Sequence, residues 1–385
     1  MKVEHNISRL KQLIDMYRLS IPEFLELISK GLKTPITEED VFSNEIKLSH
    51  LKRIDKLFEK GLHYYLNHQA PVNAKERSIF FRKRNFATEN LNIGATKIVN
   101  QFEDLKLSLS GMAKLSNFRL KRKLGKYSVK DDPKETALTV REKLYPSFTP
   151  KKRDFLKALI SKFSEQHILV FEFIETWNKK NKANIDGFFL KPNMIVLKRH
   201  QAFRREIFTL AHELGHYLLD EEEVEQLDDL SIGNKNLSKI ERWCNDFAFY
   251  FLCGKYSNTL ESLEVASSEN DYHHEIIKFI SEQTHLSQLA LFTRLLFDNK
   301  ISQRNYNRVK SAFEEDIRKR QEEKELQKEL LKAEGKKQRG AVAKPIKSPL
   351  FVSTLQNAFY EGVLNEYEFC EKLNIKPDQL EKYIQ

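Results

Sequence analysis

The sequence predicts an α+β fold in which a small sheet and two apolar helices form the main core, with helical modules on either side. Three observations lead there. Short β-branched and aromatic runs cluster between residues 167 and 199, where strands are expected. Apolar residues recur at helical spacing before and after them. The chain has 385 residues, 40 % of them hydrophobic, enough for one sizeable core with smaller pieces attached.

Residues 1–75 read as a helical module resembling a helix-turn-helix. "ISRLKQLIDMYRLS" has helical periodicity, and Ser20 before Pro22 and Thr37 before "EED" mark helix starts. "TEEDVFSNE", in the place of a recognition helix, is acidic, which opposes docking onto phosphates. Residues 76–160 form a basic helical connecting region that contains "NFRLKRKLGKY" at 117–127. The central domain is expected at 161–300. Its strands are "HILVFEFI" (167–174), "IDGFFLK" (185–191) and "NMIVLKR" (193–199), the last two separated by the turn-like Lys191-Pro192-Asn193. If "NMIVLKR" is the sheet edge beside the cleft, it would pair with an extended peptide backbone. A helix over 203–219 follows, then a solvated acidic loop with Glu222, Glu223, Glu225 and Asp228, then a second apolar helix over 238–253. Residues 301–349 read as a charged helix and flexible linker, and 350–385 as a C-terminal helical tail.

Composition narrows the function classes. The three cysteines, Cys244, Cys253 and Cys370, are odd in number and lack CxxC spacing, which points to a reducing, cytoplasmic compartment and away from a thiolate metal site. No run of about 18 apolar residues and no apolar signal core occurs, so no membrane partner is expected. The net charge of +10 is polarised: residues 51–200 carry 32 Lys+Arg against 15 Asp+Glu, whereas 201–300 carry 9 against 18. If Arg82, Lys83, Arg84, Lys121, Arg122, Lys123 and Lys126 gather on one face, that face would attract nucleic acid or an acidic protein; dispersed, they are a solvated surface.

The chemistry concentrates in "AHELGHYLLD" at 211–220. Residues four apart share a helix face, so His212 and His216 project side by side and offer two imidazole nitrogens to one metal ion. Glu213 lies next to the first ligand, the position of a general base acting on a metal-activated water. The opposite stripe of Ile207, Ala211, Leu214 and Leu218 fixes the helix on a core. An accidental HExxH in a chain of this composition arises about 3 times in 100, so the motif needs a third ligand. "SKIERWCNDFAFYFL" supplies Glu241, with Asn245 one turn later able to hydrogen-bond a ligand from behind. Tyr217, Tyr250 and His200 are the candidates to stabilise an oxyanion.

"FTLAHELGHYLL", preceded by "IDGFFLKPNMIVLKR" and followed by "IERWCNDFA", resembles the ImmA/IrrE family of zinc metallopeptidases in the order of strands, motif helix and ligand helix. The resemblance is specific over 167–253. It implies a zincin-like core, one Zn²⁺ held by His212, His216 and Glu241, and Glu213 as base. It also implies an endopeptidase that cleaves a repressor-like or antitoxin-like regulator. A transcription regulator or partner-binding scaffold with a metal-binding but inactive peptidase fold is the alternative. In this chain "FLCG" replaces the Leu-Met-Pro-like end of the family's ligand helix.

Overall fold

The computed structural model describes residues 1–17, 19–69, 92–175, 182–199, 202–222, 238–333 and 344–384. The chain divides into two compact units, Met1–Leu107 with Lys179–Asn184, and Ser108–Asn178 with Ile185–Gln385. Residues 108–160 and the C-terminal tail belong to the same unit as the strands and the HExxH helix.

In the first unit, Ser20 and Thr37 each close a capping box, with Glu23 and Asp40 as reciprocal partners, and helices Ile21–Ser29 and Glu38–Phe42 start there. The second of these lasts only five residues. Glu45–Lys47 (β2) pairs antiparallel with Lys2–Glu4 (β1), Val3 opposite Ile46. Exposure alternates along Glu45, Ile46 and Lys47, with Ile46 buried, so the local period is that of a strand. "TEEDVFSNE" is thus one helical turn leading into a strand, and it lacks the length of a recognition helix. Leu10, Phe24, Ile28, Leu51, Ile54 and Phe58 form the core of this unit.

In the second unit, Leu169–Phe173 (β3), Gly187–Leu190 (β4) and Met194–Lys198 (β5) form one sheet of order β3-β5-β4. β5 runs parallel to β3 and antiparallel to β4. "NMIVLKR" is therefore the central strand and not the edge; Met194 through Leu197 are all buried, as a strand flanked on both sides requires. Val170, Phe189, Ile195 and Leu197 share a core with Ile207, Leu210, Leu214 and Tyr217 of the helix Phe203–Leu219. The helix Lys239–Cys253 packs beside it, capped by the Ser238 hydroxyl, which accepts from the Glu241 amide at 3.1 Å. Trp243, Phe247 and Phe251 stack along this helix at 5.3 and 5.8 Å. At its end the guanidinium of Arg141, from helix Pro133–Leu144, donates to the Phe251 and Leu252 carbonyls that lack intrahelical partners.

The basic stretch 117–127 is partly consumed by this core. The Arg122 guanidinium lies 4.0 Å from the Tyr217 ring centre, donates to the carbonyls of Leu124, Gly125 and Leu218, and pairs with Asp220 at 3.5 Å. Lys123 donates to the Glu165 carbonyl and Lys126 pairs with Asp220. Arg82, Lys83 and Arg84 lie outside the described residues. Residues 344–348, expected within a flexible linker, are bound: Arg153 donates to the Lys344 carbonyl and the Ser164 and Ser348 hydroxyls meet at 3.1 Å. The rest of that expected linker falls outside the described residues. Among the described residues, no helix is long and apolar enough to cross a membrane.

Candidate metal centre

The helix Phe203–Leu219 is buried almost all round from Glu206 onward, so the sheet and the Glu241 helix fix its polar face as firmly as its apolar one. His212 and His216 bring their Nε2 atoms to 3.0 Å from each other. Glu241 Oε2 lies 3.2 Å from His212 Nε2, and Oε1 lies 3.2 Å from His216 Nε2. Among the described residues, these three are the group of His, Cys, Asp and Glu side chains whose ligand atoms converge.

The spacing fits a small divalent ion. Bonds of roughly 2.0–2.1 Å directed to the corners of a tetrahedron separate the ligand atoms by about 3.3 Å. His212 Nδ1 lies 3.0 Å from Asn245 Oδ1. An amide oxygen only accepts, so Nδ1 carries the proton and Nε2 turns its lone pair toward Glu241. A bare imidazole lone pair facing a buried carboxylate oxygen is repulsive unless a cation lies between them. Neither Glu241 oxygen has a hydrogen-bond partner among the described residues, so this buried donor set could accept an ion.

Two glycines shape the centre, and neither attracts notice in the sequence alone. A Cβ on Gly215, inside the motif, would stand 3.0 Å from Cys244 Sγ and 3.1 Å from Cys244 Cα. Its absence lets the two helices approach closely enough for Glu241 to reach both imidazoles. A Cβ on Gly187, at the start of β4, would stand 2.6 Å from Thr209 Cγ2 and 3.3 Å from Glu213 Oε1. Glu213 is 1 % exposed and faces this notch at the strand end.

The other expected site residues are placed elsewhere. Tyr217 is fully buried, edge-on to Phe189 and beneath Arg122. The Tyr250 hydroxyl lies 2.6 Å from Arg294 Nη2, nine residues and about 13 Å of helix beyond Glu241. Neither joins the group around His212 and His216. His200 lies outside the described residues, as do Glu223, Glu225 and Asp228. Glu222 corrects the expectation of a solvated loop: it is 3 % exposed and accepts from the Lys191 amide at 2.7 Å, tying the motif helix to the β4–β5 turn.

No curated protein and no solved structure matches the chain. Residues 165–254, which run from the end of the helix before β3 to the end of the Glu241 helix, match the Peptidase M78 family model, described as the IrrE N-terminal-like domain. Strands, HExxH helix and Glu241 helix all fall inside that match, so the likeness to this peptidase family covers the segment that holds the candidate metal centre.

Proposed function

We propose that the chain is a zinc-dependent endopeptidase that cleaves a specific protein, a repressor-like or antitoxin-like regulator, with Glu213 as general base. The convergence of His212, His216 and Glu241 within 3.0–3.2 Å carries this reading. A bound divalent ion would supply Lewis acidity toward water and the scissile carbonyl. The residues of the chain do the rest. His212, His216 and Glu241 hold the ion, and Asn245 fixes the tautomer of His212. Glu213 accepts a proton from the attacking water and returns it to the leaving nitrogen.

The path for an extended substrate differs from the one expected from sequence. β5 is internal, whereas β4 has a sheet neighbour on one side only among the described residues. β4 begins at Gly187 beside Glu213, so a peptide pairing along it would run past the base. Glu213→Gln tests the mechanism. The variant should retain zinc and fold yet lose cleavage by at least a hundredfold, because the amide fills the same volume without accepting a proton. Metal content, circular dichroism and cleavage of purified candidate regulators would be measured together. A Glu213→Gln protein as active as the parent refutes the peptidase reading and favours the inactive scaffold.

A further inference from the structure

Away from the metal centre the second unit buries an unbalanced set of charges. Glu172 on β3 and Glu206 in the first turn of the HExxH helix both have fully buried side chains. One guanidinium serves both: Arg199 lies 2.6 Å from Glu206 Oε2 and 3.9 Å from Glu172 Oε1. Glu172 Oε2 accepts a hydrogen bond from the Ile346 amide of the C-terminal segment.

Among the described residues, several other charges of this unit are already matched or turned away. Glu175 pairs with Lys198 at 2.9 Å, and Arg205 with Asp186. Arg204 donates to Ser281 and to the Leu286 carbonyl, and Arg153 to the Lys344 carbonyl. Lys347 donates to Tyr383, and the Lys344 side chain is exposed. Among the described residues two carboxyl groups therefore share one cation, and full ionisation would leave an uncompensated charge in this interior. The two remaining carboxyl oxygens, Glu172 Oε1 and Glu206 Oε1, are buried with no other hydrogen-bond partner among the described residues. A proton on one, donated to the other, satisfies both. Burial first, and then contact with Glu172, push the Glu206 carboxyl well above its ordinary range.

We propose that a single proton, shared between Glu172 Oε1 and Glu206 Oε1, locks the C-terminal segment 344–384 onto the peptidase domain and couples its docking to the first turn of the HExxH helix. The segment is held on the same side by ring contact of Phe351 with Phe171 at 5.1 Å and by Asn357 donating to the Ser116 carbonyl at 2.8 Å. The Ile346 amide, Glu172, Arg199 and Glu206 form a continuous polar chain ending six residues before His212.

A proton retained by the folded state and released by the unfolded chain makes stability fall as pH rises above the ordinary carboxylate range near 4.5. The full chain would be unfolded in urea at several pH values, alongside Glu206→Gln, Glu172→Gln and the double variant. In the wild type the folding constant should drop, relative to either single variant, by up to roughly tenfold per pH unit from about pH 4.5 through neutrality. Each single amide can donate where the shared proton did, so both should match or exceed wild-type stability at pH 8. The double variant should be weaker than either, since Arg199 then lacks a carboxylate. Exchange of the 344–360 amides, corrected for intrinsic rate, should accelerate with pH in the wild type and not in Glu206→Gln. A carboxylic-acid C=O infrared band should persist at neutral pH in the wild type and vanish in Glu206→Gln, a readout that needs no unfolding. Parallel pH profiles for wild type and Glu206→Gln, or no protonated band in the wild type, overturn the proposal.

Discussion

Gly187→Ala tests whether the contact between β4 and the motif helix sets the geometry around Glu213. The added methyl would lie 2.6 Å from Thr209 Cγ2 and 3.1 Å from the Val196 carbonyl oxygen. Thr209 is β-branched and sits within a buried helix, so its methyl cannot swing aside cheaply. Overpacking by one methyl costs about 1–3 kcal/mol, against roughly 0.5–1 kcal/mol gained by replacing glycine inside a strand. The clash wins, and a net loss of about 1–2 kcal/mol is expected. Thr209→Ser removes only the clashing methyl. Alone it should cost about 1 kcal/mol of lost burial, but combined with Gly187→Ala it should cost less than the sum, with a coupling of about 1 kcal/mol or more. Urea unfolding of the four proteins measures the coupling. The double variant should keep its zinc yet cleave poorly, because the new methyl still stands 3.3 Å from Glu213 Oε1. Strictly additive losses would refute the reasoning, as would a Gly187→Ala protein with parental stability and activity.

Three further outcomes follow from the same geometry. Asn245→Ala should weaken zinc affinity by roughly 10–100-fold by freeing the His212 tautomer, and Glu241→Ala should weaken it further; equal affinities in a competition titration would remove Asn245 from the support of the site. Arg122→Ala should destabilise by about 2–3 kcal/mol through its carbonyl bonds and its contact with Tyr217, whereas reversing the exposed Lys121 should stay within about 0.5 kcal/mol; equal effects in thermal melts would contradict the division of the basic stretch into structural and solvated cations. Burial lowers the His285 imidazole to about 4, where its Nε2 donates to the Thr149 carbonyl at 2.8 Å. A depressed folded pKa means this stability is present above the unfolded value near 6.5 and is lost as pH falls toward 4, a loss on the order of 3 kcal/mol that a His285→Gln variant should not show in acid titrations.

The parts legible in the sequence were those written in local periodicity and spacing. The HExxH helix spans Phe203–Leu219, as its apolar stripe and motif predict, and Glu241 stands on a helix begun by Ser238. Sheet order was not legible, because "GFFL" and "MIVLK" are both continuous apolar runs, and such runs do not distinguish an edge from a centre. Nothing in the strand before the motif marks it as central, although β3 lies parallel beside it. Glu222 looked solvated in an acidic run because its partner, the Lys191 amide, is 31 residues away. The place of Arg122 in the core was hidden for a similar reason: Arg122 and the C-terminal end of the motif helix meet across 96 residues. Glycines were the least legible of all. Nothing in "IDGFFLK" marks Gly187 until the fold brings Thr209 and Glu213 against it, and only then does the missing side chain appear as the notch beside Glu213.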